Sequence, residues 1–211
     1  MDADIFQLEY LLLLDKLDAK DEEYGTVAAH VLHEAQKRGF ITSIDTVSEK
    51  SNRPRDLIPF ALKYTNICCI NEREIAAITG FGVIDNDAVI NEEEMILAMQ
   101  KLKDYGVSFW VVVHCKKCAY GLDCRTNDMY KTTSFEIPKN QIKGTTGAGD
   151  AFCAGLIYAF YQGKALQDAM IFASMVAGSS LFAKNGYDGV SSVDQIKAIA
   201  CTFEGGLCEK I

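Results

Sequence analysis

The chain has 211 residues, of which 49% are hydrophobic and 24% charged, enough for one sizeable core and too ordinary in makeup for a disordered or fibrous class. Lysine and arginine total 21 against 29 aspartate and glutamate, a formal net charge of -8, so no broad cationic surface is expected to neutralise a nucleic-acid backbone. The apolar run near the start is far too short to span a bilayer, and Asp2 and Asp4 stand where a signal peptide carries positive charge. The reading is a cytoplasmic protein with neither nucleic acid nor membrane as a partner.

In chain order, residues 5–14 form an apolar run closed by Asp15 and are predicted as a buried strand. Helical spacing over 24–38 places Val27, Val31, Leu32 and Ala35 on one face and stops at Gly39. Strands are predicted at 40–45 and 66–70, with a helix over 54–64 between them. A helix over 72–79 ends at Gly80, another over 92–105 follows the cap candidate Asn91, and 107–114 is a β-branched and aromatic strand. Strands alternating with helices describe right-handed crossovers, hence an α/β class with a mostly parallel sheet. After His114 the pattern changes to a hairpin, 119–123 with 129–137, around a polar turn at 125–128. A glycine-rich turn at 144–149 then precedes helices over 150–161, 166–184 and 193–201. A single domain over 1–211 is expected.

The eight cysteines include one CxxC, Cys115 with Cys118; a structural zinc site commonly uses two such knuckles, so reduced thiols at a turn are the reading. His30 and His33 are three apart on a predicted helix, but no third ligand stands near them.

Chemistry concentrates in Gly144-Thr145-Thr146-Gly147-Ala148-Gly149-Asp150, ahead of a helix. Its glycines let the main chain approach a ligand, and the first amides of a helix lack internal acceptors, which makes an anion site. The Walker pattern fails because no lysine follows the last glycine, and the dinucleotide pattern fails because Phe152 occupies the place of its third glycine. Asp150 beside a phosphate site needs a reason, since like charges repel. A carboxylate there can accept the proton of an attacking hydroxyl while the amides of Gly147, Ala148 and Gly149 steady the transferring group. Alternatively, the glycines serve helix packing and Asp150 favours the positive helix end. From the motif alone the two readings stand level.

The stretch 144–155, GTTGAGDAFCAG, resembles the signature of ribokinase-like (PfkB family) carbohydrate kinases. The resemblance extends to Ser43-Ile44-Asp45, to Asn71-Glu72-Arg73-Glu74, to Thr79-Gly80 and to the strand ending at His114. It implies a ribokinase-like three-layer α/β/α sandwich and transfer of the γ-phosphoryl group of ATP, with Mg2+, to a hydroxymethyl group of a sugar. By resemblance Asp150 is the catalytic base and the main chain of Gly147, Ala148 and Gly149 the anion hole. Thr145, Lys116, Asn185 and Gly186 fall in the nucleotide-binding positions, and Asn71 with Glu74 in the NxxE motif that holds the magnesium hydration shell. Asn71 with Glu74 is equally a helix-capping pattern, repeated at Asn91 with Glu94, and Lys184-Asn185-Gly186 equally a helix stop.

Three departures matter. The family's glycine-rich loop after the strand would fall at His114 to Ala119, yet Lys116 and Cys118 stand where small residues are expected. The signature's first aspartate is Gly144, so a monovalent-cation requirement is not carried over. The chain also begins after the family's amino-terminal section with its Gly-Gly motif and lid, which reads as a truncation and leaves a strand edge open to association between copies. Alternatives are a nucleotide-binding remnant without transfer activity and a nucleoside kinase.

Overall fold

The computed structural model describes residues 3–85 and 89–211, which gather into two compact units, 3–113 with 122–127 and 114–121 with 128–211. The first unit carries β1 (Ile5–Leu11), β2 (Lys20–Asp21), β3 (Gly25–Thr26), α1 (Val27–Lys37), β4 (Ile41–Thr46), α2 (Arg53–Leu62), β5 (Ile67–Asn71), α3 (Glu72–Thr79), α4 (Glu92–Tyr105) and β6 (Trp110–His114), whose last residue belongs to the second unit. Its sheet runs β1-β4-β5-β6, with β1 parallel to β4 and β4 parallel to β5. Ile5 lies opposite Ile41 and Ile44 opposite Cys68. Strands buried on both faces need continuous apolar runs, and Ile67–Ile70 and Trp110–Val113 are buried throughout. Parallel strands with helices between them bear out the predicted α/β class and its mostly parallel sheet.

Local chemistry moves two predicted boundaries. β1 stops at Leu11, short of the apolar run, because Leu12 adopts φ 80° and the amides of Leu12 and Leu14 donate to the Asp18 carboxylate at 3.0 and 3.2 Å. α1 begins at Val27 rather than at 24, since Thr26 caps it by accepting from the Ala29 amide at 3.2 Å. Such a cap is worth about 1 kcal/mol. The two-residue strands β2 and β3 pair antiparallel ahead of it.

The second unit contains β7 (Cys118–Asp123, whose last two residues fall in the first unit), β8 (Asp128–Thr133), α5 (Ala148–Tyr161), α6 (Leu166–Ser180), α7 (Val193–Ala200) and β9 (Cys208–Lys210). The strands follow the order β7-β8-β9, with Tyr130 opposite Lys210 in an antiparallel pair. β8 ends at Thr133 rather than 137, and β9 was not predicted. α5 and α6 close on each other at Gly155, where a Cβ would stand 2.9 Å from Val176 Cγ2 and 3.0 Å from the Ala173 Cα. Ile196 of α7 joins Ala151 and Val176 in the same cluster. α6 stops at Ser180 instead of 184, with Ser179 Oγ donating to the Gly189 carbonyl at 2.5 Å and Ser180 Oγ to the Ala177 carbonyl at 2.7 Å. Among the described residues, no helix is long and apolar enough to cross a membrane.

Candidate active site

The glycine-rich turn of the second unit enters α5 through Gly147, whose φ of 81° is strained for any residue with a side chain. A Cβ there would stand 2.4 Å from the Cα of Gly186, so the turn is seated directly on the 184–189 loop. The Thr145 carbonyl accepts from the Ala148 amide at 3.3 Å, and the Gly147 carbonyl accepts from the Ala151 amide at 2.9 Å. Among the described residues, the amides of Gly147, Gly149 and Asp150 have no acceptor. Three outward donors at the positive end of a 14-residue helix form a cradle for an anion. Ala148, expected with them, has its amide turned back to Thr145, while Asp150 adds an amide that the sequence reading did not assign.

Asp150 lies in the first turn of α5, exposed, and among the described residues its carboxylate accepts no hydrogen bond and joins no ion pair. Thr145 is exposed beside it in sequence, and Gly186 is the residue that Gly147 packs on. Asn185 is engaged locally: its Oδ1 accepts from the Asp188 amide at 2.9 Å and its Nδ2 donates to Asp188 Oδ2 at 2.8 Å. Because α6 ends at Ser180, Asn185 stops no helix but ties its own turn. Lys116 is exposed in the turn that the Cys115 amide closes by donating to the Cys118 carbonyl at 2.8 Å.

Gly144 leaves no room for the carboxylate of the signature. A Cβ there would stand 2.9 Å from the carbonyl oxygens of both Ala183 and Lys184. The donor set lacks the acid and the space for it, so it does not fit a monovalent cation held in the signature's manner.

His114 lies under the first turn of α5. A Cβ on Gly149 would stand 2.9 Å from His114 Cε1, and the ring centroid lies 5.5 Å from that of Phe152. Burial pushes the imidazole pKa down to about 4, against the pull of the Asp150 charge, so the ring is neutral at pH 7.

Asn71 and Glu74 belong to the first unit and form a complete capping box. Asn71 Oδ1 accepts from the Arg73 and Glu74 amides at 2.9 and 3.0 Å, and Glu74 Oε2 accepts from the Asn71 amide at 2.9 Å. Glu74 Oε1 accepts from Asn71 Nδ2 at 2.6 Å and from Ser48 Oγ at 3.0 Å. Burial raises the Glu74 pKa, opposed by these donors and by Thr46. Mg2+ demands free hard oxygens in near-octahedral geometry, and both side chains have theirs committed to protein donors. The pair therefore does not fit direct magnesium coordination. Ser48, absent from the sequence reading, is part of this network and carries no motif of its own.

Parallel strands, crossover helices and a helix start with free amides beside a free carboxylate define an α/β protein whose helix start is suited to an anion. Residues 2–192 match the pfkB family carbohydrate kinase, and the chain belongs to that family. Solved structures of similar fold include an Arabidopsis thaliana ribokinase complexed with ribose and ATP, at 21% identity and TM-score 0.65 over 82% of this chain and 52% of that one. A Thermotoga maritima ribokinase matches at 21% identity and TM-score 0.61, over 82% and 53% of the two chains. An Escherichia coli phosphofructokinase-2 in complex with potassium matches at 17% identity and TM-score 0.64, over 83% and 52%. The chain thus spans about half the length of the solved structures it resembles.

Proposed function

We propose that the chain supplies the phosphoryl-handling site of an ATP-dependent sugar kinase. The observation that carries this reading is a carboxylate without protein partners on the same helical turn as amides without acceptors, at Gly147, Gly149 and Asp150. In the proposed reaction Asp150 takes the proton of a sugar hydroxymethyl group as that oxygen bonds to the γ-phosphorus of ATP and the bond to the β–γ bridging oxygen breaks, releasing ADP. The free amides steady the charge on the transferring group, worth about 3–4 kcal/mol for a single well-aimed donor. Thr145 and the Gly186 loop hold the turn, and Lys116 offers a mobile positive charge to phosphate oxygens. Mg2+ brought with ATP would neutralise phosphate charge, while Asn71 and Glu74 have their oxygens committed to ordering their own turn. The setting is the cytoplasm.

One rival is a nucleotide-binding chain without transfer activity. Calorimetric titration with ATP and Mg2+, followed by a coupled ADP-release assay over sugars and nucleosides, separates the two. ADP release that depends on a sugar supports the kinase; ATP binding with no acceptor-dependent release on the whole panel supports the rival. Release that depends on nucleosides alone moves the acceptor class. Size-exclusion chromatography with light scattering reports any self-association.

A further inference from the structure

The anion cradle is only as well aimed as the first turn of α5, and that turn contains Gly147 and Gly149, the residue type that resists disorder least. Something outside the helix has to fix it. The nearest atoms to a Cβ built on Gly149 are all of one side chain: it would lie 2.9 Å from His114 Cε1, 3.3 Å from Nε2 and 3.8 Å from Nδ1. The imidazole therefore occupies the space of the missing side chain, with Cε1 nearest. It also meets Phe152, three residues further along the same helix, with ring centroids 5.5 Å apart and 41° between the ring planes.

We propose that His114 is the positioning residue of this site: its ring, packed against Gly149 and Phe152, sets the pitch of the first turn of α5 and with it the aim of the free amides and of Asp150. The proposal rests on the phosphoryl-transfer reading of that site. An uncharged ring suits the task. A cation in the same place would pair with Asp150 and tie down the carboxylate that has to meet the acceptor hydroxyl, and the burial that keeps the imidazole neutral removes this competition. A threonine or alanine would leave the turn unsupported, and a side chain on Gly149 would displace the ring.

The test uses four variants of the full chain: His114→Ala, His114→Phe, Gly149→Ala, and the double variant His114→Ala with Gly149→Ala. Amide order parameters of residues 148–151 are read by NMR, and kcat and KM for ATP by the coupled assay. His114→Ala is expected to drop the order parameters from about 0.85 towards 0.6. It should lower kcat roughly 10- to 100-fold, the range for a displacement near 1 Å, while KM for ATP moves less than about threefold. His114→Phe, which keeps a planar neutral ring, should restore both readouts. Gly149→Ala alone should lose order and turnover, and the double variant should recover most of each, because the new methyl then fills the space the ring has left. Unchanged order parameters in His114→Ala, or no recovery in either His114→Phe or the double variant, would overturn the proposal. Parent protein that releases no ADP with any acceptor would refute the kinase reading instead, and the order parameters would still decide the role of His114.

Discussion

Replacing Gly147 by alanine puts two separable strains on one residue. At φ 81° a side chain costs roughly 1–2 kcal/mol from its own backbone alone. The new methyl would also stand 2.4 Å from the Gly186 Cα and 3.4 Å from its N and C, so main chain, and no flexible side-chain tip, has to yield. Overpacking of this kind adds about 1–3 kcal/mol, giving roughly 2–5 kcal/mol in all. For a chain of this size that is a fall in Tm of about 4–20 °C. Gly163 supplies the internal control: its φ is 71°, but nothing lies within 4 Å of the added Cβ. Gly163→Ala should show only the backbone part, a loss of about 1–2 kcal/mol. Differential scanning calorimetry of both variants measures the difference. Equal losses in the two, or a Gly147→Ala melt within a degree of the parent, would show that the turn is not seated on the 184–189 loop as described.

Three further outcomes follow from the network of buried polar groups. Glu74 has its pKa raised by burial, so its protonated form is the better fit to the fold; the stability this contributes is complete below 4.5, the unfolded value, and is lost as pH rises through the folded one. The stability of the parent minus that of Glu74→Gln, from urea melts, should therefore fall as pH rises above 4.5, and a flat or rising difference contradicts it. Asp123 is pushed up by burial but drawn lower by Arg125, which donates to it at 3.0 and 2.7 Å, and by Trp110 Nε1 at 3.2 Å. Its contribution is present above 3.8 and lost as pH falls below that, and Trp110→Phe should cost about 1–3 kcal/mol at pH 7 by urea denaturation, with a loss under about 0.5 refuting the bond. Burial pushes the Cys124 thiol up to about 11, whereas Cys201 is exposed, so iodoacetamide at pH 8 followed by mass spectrometry should mark Cys201 first and leave Cys124 untouched. Early labelling of Cys124 would contradict its burial.

The alternation of apolar runs with helical spacing disclosed the crossover architecture because a doubly covered strand such as Trp110–Val113 has to be apolar throughout. Short polar pieces carried no such mark. β2 and β3 are two residues each, and β9 reads Cys-Glu-Lys, a pattern set by its pairing with β8 and not by its own periodicity. The end of α6 was hidden for the opposite reason: the sequence stays apolar to Ala183, and the helix is stopped by Ser179 and Ser180 turning their hydroxyls onto main-chain carbonyls, a tertiary event for Ser179. At the site, the glycine turn and Asp150 were legible as a motif. The partners of Asn71 and Glu74 were not, because Ser48 and Thr46 reach them from another strand's exit. His114 was visible as a strand end beside the CxxC and as the first residue of the loop after it, and neither pattern placed it under α5.

Single-turnover and steady-state kinetics of Asp150→Asn test the central claim most directly, since the amide keeps the shape of the carboxylate and cannot take the proton. The account predicts a fall in kcat of about 10²- to 10⁴-fold with ATP affinity, by calorimetry, within about threefold of the parent. A variant that turns over within tenfold of the parent, or that loses ATP binding in proportion to rate, would contradict it.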